Sequence, residues 1–209
     1  VNRESWLHRA RLLAWFTVAY NLLEGGLSIR FGLSDDSVAL WGFGLDSLVE
    51  VASGLVVLWR LRDAAGSRPG ARERRATTII GWLFVILALG VAWGAAHQLV
   101  SQGHPDTGLP GILIALASLL TMFFLWRAKT AAARALDSAT LAGDAACTMA
   151  CLVLSGVLLL GSLVSRLVPA LGWVDGAAAL VLAILIGREG WQGIRAARRP
   201  DFTGGCGCH

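Results

Sequence analysis

The chain has 209 residues, is 56% apolar and only 15% charged, and carries nine tryptophans at a mean hydropathy of +0.63. Soluble domains carry about 25% charged residues, so these values exclude an ordinary soluble core and point to a single-domain, all-α polytopic membrane protein. The net charge of +4 and pI near 9.3 would attract nucleic acid or anionic lipid, but the arginines fall in short stretches between apolar runs, as membrane topology alone produces. No nucleic-acid partner is expected; the bilayer is.

Six apolar runs follow one another, roughly Ala10–Phe31, Ser37–Leu61, Thr77–Val100, Leu109–Trp126, Thr140–Val164 and Trp173–Ile194. Each is close to the 20 or so residues that cross a bilayer. The first reads as a span that stays, not as a cleaved signal peptide; Val1 is not a natural start, so residues upstream are expected. Of the Arg and Lys residues, 16 lie in the N-terminal segment through Arg11, around the second and fourth connections or at the C-terminal end, and only Arg30 and Arg166 lie on the other side. The positive-inside rule then puts both termini in the cytoplasm and the chain in a cell membrane (plasma or bacterial inner), crossing it several times.

The first run contains Asn21 and Glu24, followed by Gly25-Gly26. A carboxyl group inside a span is functional or paired, and Glu24 has Arg30 or a neighbouring helix as its alternative partner. The turn that follows carries Asp35 and Asp36, read as solvated loop acids.

The second run holds Asp46 and Glu50. Residues i and i+4 of a helix share one face. A carboxylate at mid-membrane costs about 2.5–3.5 kcal/mol on an insertion scale, and two neighbours repel. Such a pair requires a proton, a basic partner or a metal ion. The connection from Arg62 to Ala76, with Gly66, Pro69 and Gly70, reads as a flexible basic linker. His97 and His104 read as hydrogen-bonded side chains near an interface. The fourth run has no charge before Arg127 and reads as packing; Arg127, Lys129 and Arg134 fall in the connection after it.

The fifth run repeats the pattern in sulfur: Cys147 and Cys151 are again i and i+4, with Asp144 one turn earlier. Alone, such cysteines could be small core residues. The sixth run opens with Asp175, which could cap its helix or serve an ion path. The tail, residues 200–209, ends in Cys206-Gly207-Cys208-His209. Two thiols and an imidazole on a glycine-flanked tether make a soft-metal chelate, with a disordered tail as the alternative.

If the second and fifth helices face each other, Asp46, Glu50, Cys147 and Cys151 converge as a two-oxygen, two-sulfur set suited to a tetrahedral divalent cation. Zn²⁺ accepts both ligand types, and the thiolates shift preference toward Cd²⁺, Hg²⁺ or Cu⁺. The cation is cargo; no permanent cofactor is expected. Asn21, Glu24, Asp144 and Asp175 are candidates for a proton or ion path.

The segments around Asn21 to Glu24, Ser37 to Leu40, Asp46 to Val51 and Asp144 to Cys151 resemble the cation diffusion facilitator family. The resemblance implies a six-span domain over residues 1–199, export of divalent transition metal from the cytoplasm, exchange against protons, and a homodimer. It places Asp46, Glu50, Cys147 and Cys151 at that family's ligand positions. Two features depart from the family: a Cys/Cys pair stands where His or Asp is usual, and only about 15 residues follow Ile194, too few for a soluble domain. A dimer is therefore expected to form through the spans, with residues 200–209 as a small metal-capturing tail. Two other readings stay open, a non-transporting metal binder or sensor and an intramembrane thiol oxidoreductase using Cys147 and Cys151.

Overall fold

A computed structural model describes residues 3–34, 38–62, 69–101, 109–167, 173–200 and 202. Among these residues the chain forms six α-helices and no strand: α1 (Arg3–Ser34), α2 (Val38–Leu61), α3 (Pro69–Ser101), α4 (Leu109–Leu136), α5 (Ala139–Leu167) and α6 (Trp173–Arg198). The six expected runs appear one for one. Their lengths, 24 to 33 residues, correspond to about 36–50 Å of helix at 1.5 Å per residue. Four described stretches, Arg3–Ser34, Ala71–His97, Gly111–Leu136 and Ala139–Val157, are long and apolar enough to cross a membrane.

The largest boundary differences from the sequence reading are three. Helix α1 begins at Arg3, seven residues before Ala10, α3 begins at Pro69, inside the stretch read as a flexible linker, and α4 runs ten residues beyond Trp126 to Leu136. Ala, Arg, Lys and Glu are strong helix formers, so helices continue past their apolar stretch where these residues follow. Proline at the first position of α3 has no N–H to leave unsatisfied.

The helices pack most extensively as the pairs α1·α2, α3·α6 and α4·α5. Contacts α1·α4 and α2·α5 close four helices into one unit, and α3·α6 lies against α2 and α5. Glycines permit the tightest crossings. A Cβ at Gly25 would stand 3.1 Å from the Gly44 carbonyl oxygen, and one at Gly190 would stand 2.7 Å from that of Gly81. Large apolar side chains face outward, among them Leu23, Leu89, Trp93, Phe124 and Ile184. Such a surface is suited to lipid and would be an aggregation hazard in water.

One end of the bundle collects the basic residues. Arg11 donates to the Leu61 carbonyl at the end of α2 (2.8 Å), and Arg74 donates to the Arg199 carbonyl at the end of α6 (2.9 Å). Arg9 stacks on Trp6, Arg72 on Trp59 and Arg195 on Trp191, the pairing of cation and aromatic ring that suits a membrane interface. At the same end the short turn between α4 and α5 puts Asp137 in a left-handed conformation (φ 45°), which Asp tolerates better than most residues. Ser138 then caps α5, its hydroxyl accepting from the Leu141 N–H at 3.3 Å.

Candidate metal site

The polar residues of α1, α2, α4 and α5 converge in the interior of the four-helix unit. Helices α2 and α5 meet in an antiparallel register that follows from helical spacing. The Cys151 thiol lies beside the Asp46 carboxyl group. Four residues on along α2, and four back along α5, the Cys147 thiol lies beside Glu50. Three residues further in each direction, the Ser53 hydroxyl donates to Asp144 Oδ1 at 2.7 Å. Side chains three and four apart share a helix face, so one contact in register brings the next two with it.

All these groups are closed off from solvent: Glu24 is 4% exposed, Asp46 3%, Lys129 2%, Cys147 2%, and Glu50, Asp144 and Cys151 1% each. Both cysteines are free thiols. Cys147 also packs with Ile80, Phe84 and Ile186 of α3 and α6, and Cys151 with Leu40, Phe43 and Met122. Each thiol thus sits where the polar interior meets an apolar cluster.

The residue missed from sequence is Lys129. It belongs not to a loop but to the last third of α4, and it is buried. Its Nζ donates to Glu50 Oε1 (2.9 Å), Asp144 Oδ2 (2.9 Å) and Thr148 Oγ1 (2.8 Å). An ammonium has three donors, and all three are used. The Thr148 hydroxyl in turn donates to Glu50 Oε1. The basic partner that an intramembrane acid pair calls for is therefore present, and it takes only one member of the pair. A signal for it existed: Lys129 is the only lysine in a chain that otherwise uses arginine.

Glu24 extends the network toward α1. It accepts from the Ser47 hydroxyl at 3.0 Å and lies near the Tyr20 and Ser118 hydroxyls. Asn21 is fully buried and spends an amide hydrogen on the Thr17 carbonyl of its own helix (2.9 Å). Ser155 donates to Ser118 at 3.2 Å, tying α5 to α4.

The cluster is not saturated. Asp46 Oδ2, Glu50 Oε2, Glu24 Oε1 and Asn21 Oδ1 are buried without a hydrogen-bond partner. Unpaired buried oxygens are costly, and these four come from three carboxyl groups and one amide on α1 and α2. Among the described residues, no group of three or more His, Cys, Asp or Glu side chains is gathered tightly enough to hold a metal ion. The four sequence-predicted ligands are brought together as two pairs, Asp46 with Cys151 and Glu50 with Cys147. Asp175 lies in α6, but its side chain is outside the described residues, as are Asp35, Asp36, His104 and the tail residues Cys206, Cys208 and His209.

The chain is 22% identical over 183 residues to transmembrane protein 163 of Xenopus laevis, an alignment covering 88% of this chain and 65% of that protein. It therefore spans just under two thirds of that relative's length. Residues 14–199 match the family described as the cation efflux transmembrane domain, a family of transporters rather than enzymes. That match takes in all six helices except the first turns of α1, and the chain is thus a multi-pass membrane protein that belongs to the cation efflux transmembrane-domain family.

Proposed function

We propose that the chain carries a soft divalent metal cation out of the cytoplasm in exchange for protons, binding it between α2 and α5 through Asp46, Glu50, Cys147 and Cys151. Zn²⁺ and Cd²⁺ are the favoured cargo, because two thiolates and two carboxylates form a mixed set in which sulfur raises the preference for softer ions. The observation that carries this reading is the register of the two helices, which pairs each acid with one thiol in a buried interior. Closing the two pairs around a cation would give four ligands, and it would supply the partner that Asp46 Oδ2 and Glu50 Oε2 lack.

The same atoms suit protons when no metal is bound. Metal binding requires thiolate and carboxylate and so releases protons, and that competition is the basis of exchange. Glu24 extends the polar network toward α1, where Asn21 stands three residues earlier, and Asp144 extends it along α5, which gives protons a route. A thiol oxidoreductase fits less well, since both cysteines are free and lie on one continuous helix, where parallel Cβ directions strain a disulfide.

Flux of Zn²⁺ and Cd²⁺ into proteoliposomes tests the reading. Asp46→Asn and Cys147→Ser are each expected to abolish flux and lower metal affinity while the protein still inserts. Wild-type flux in both variants would remove the four-ligand site, and metal binding without any flux in the unaltered protein would make the chain a binder or sensor instead.

A further inference from the structure

The acid pair is asymmetric, and Lys129 causes the asymmetry. Asp46 lies beside the Cys151 thiol, whereas Glu50 has a full positive charge on Oε1 at 2.9 Å and keeps only Oε2 free. The lysine also has somewhere to go. Asp144 Oδ2 and Thr148 Oγ1 hold the same Nζ at 2.9 and 2.8 Å, about two turns and one turn along α5 from Cys151. Asp144 itself is anchored by Ser53. A lysine stem is flexible and its head is a compact point charge, unlike the rigid fork of arginine.

We propose that Lys129 is the carrier's own tethered counter-cation: its ammonium neutralises Glu50 when the cargo is absent, withdraws onto Asp144 and Thr148 when a divalent cation takes Glu50, and returns to displace that cation on release. The inference rests on the α2–α5 site proposed above and adds the residue that sets how tightly the site holds. A fixed positive charge next to a ligand carboxylate weakens cation binding, so Lys129 trades affinity for release. It acts through Glu50 and is a positioning residue, not a ligand.

The probe is Cd²⁺ added to the purified full chain, with binding read from thiolate-to-cadmium charge-transfer absorption and release from proteoliposome flux. Lys129→Met alone leaves two buried carboxylates without their cation and is prone to misfold, so Lys129→Met with Asp144→Asn is the variant to read. It should bind Cd²⁺ at least about tenfold more tightly, because the competing charge is gone, and pass it more slowly; Lys129→Arg, which keeps the charge, should not tighten binding. A merely structural role predicts the opposite, looser binding in every variant. Unchanged or weaker Cd²⁺ binding by the folded double variant, with Asp46→Asn still abolishing binding, overturns the counter-cation role and leaves the site standing. Cd²⁺ binding unaffected by Asp46→Asn removes the site, and the role of Lys129 with it. The unaltered protein gives an independent reading: as Lys129 is the only lysine, ¹⁵Nζ-lysine labelling yields one side-chain resonance. Cd²⁺ should move it, and an unmoved resonance in protein that binds Cd²⁺ overturns the proposal.

Discussion

The four-helix unit α1, α2, α4 and α5 and the pair α3·α6 solve the same packing problem in opposite ways. The first buries Asn21, Glu24, Asp46, Glu50, Lys129 and Asp144 along its interior. Among the described residues, the pair buries Ile80, Phe84, Leu87, Ala88, Ala183, Ile186 and Ile194, and its buried polar groups, Glu73 and Thr77, stand at the start of α3. Lipid gives helices no hydrophobic reason to associate. The pair is held mainly by shape, with glycines letting backbones touch; the four-helix unit has its own glycine crossing at Gly25 and Gly44 and apolar clusters, and adds a buried network of hydrogen bonds and charge that depends on each group keeping its partner. On the function proposed above, the four-helix unit responds to the cation and the pair α3·α6 is its frame.

The largest effect that separates the two should come from Asp144→Ala. It removes one of the two charges on Lys129 and the acceptor of Ser53. Breaking one side of a buried ion pair costs about 3–5 kcal/mol, so the midpoint of thermal unfolding in detergent should fall steeply. Replacing Lys129 with Met as well should recover part of the loss, because the two sites are coupled. Strictly additive losses would mean that the ion pair does not hold the unit together.

In the pair α3·α6 the corresponding change is one of volume. A Cβ at Gly190 would lie 2.7 Å from the Gly81 carbonyl oxygen and 2.6 Å from the Phe84 Cβ. Neither is the free end of a side chain, so the helices must part. Gly190→Ala should destabilise by about 1–3 kcal/mol, the range of overpacking, with Cd²⁺ affinity unchanged. A large loss of affinity would show that the frame and the carrying unit are not independent.

The two regions were unequally legible in the sequence. Asp46 with Glu50 and Cys147 with Cys151 stood out because polar residues at i and i+4 interrupt otherwise apolar helices, and spacing alone fixes their common face. Their facing register needed only the two helices to be neighbours. Lys129 did not stand out, because it follows Trp126 among arginines and its burial depends on α4 continuing to Leu136. A charge in that setting reads as topology until its helix is known to continue. Glu73 was hidden the same way, within the arginine-rich stretch from Arg72 to Arg75. Charges near helix ends are therefore the weak point of the sequence reading, and here one of them contacts a candidate ligand.

Glu73 also gives the smallest and most discriminating test, since it lies at the seam between the two regions. From α3 its Oε1 accepts from the Ser138 hydroxyl (2.5 Å) and the Thr140 N–H (2.8 Å), capping α5, while Oε2 pairs with Arg60 at the end of α2. One carboxylate thus fixes the ends of both helices that carry the candidate ligands. Glu73→Gln keeps the shape and an acceptor for Thr140 but removes the charge that Arg60 and the N-terminus of α5 both favour. A lost charge at a helix N-terminus is worth up to about 1 kcal/mol at exposed sites and about twice that when partly buried. The unfolding midpoint should fall slightly and the flux rate should change, since the ends of α2 and α5 are less firmly joined. Cd²⁺ affinity should stay within about twofold, well under the tenfold that 1.4 kcal/mol represents, because no ligand contact is touched. If affinity instead falls in step with stability, the latch is part of the binding site, and the division between a frame and a carrying unit must be redrawn through α3.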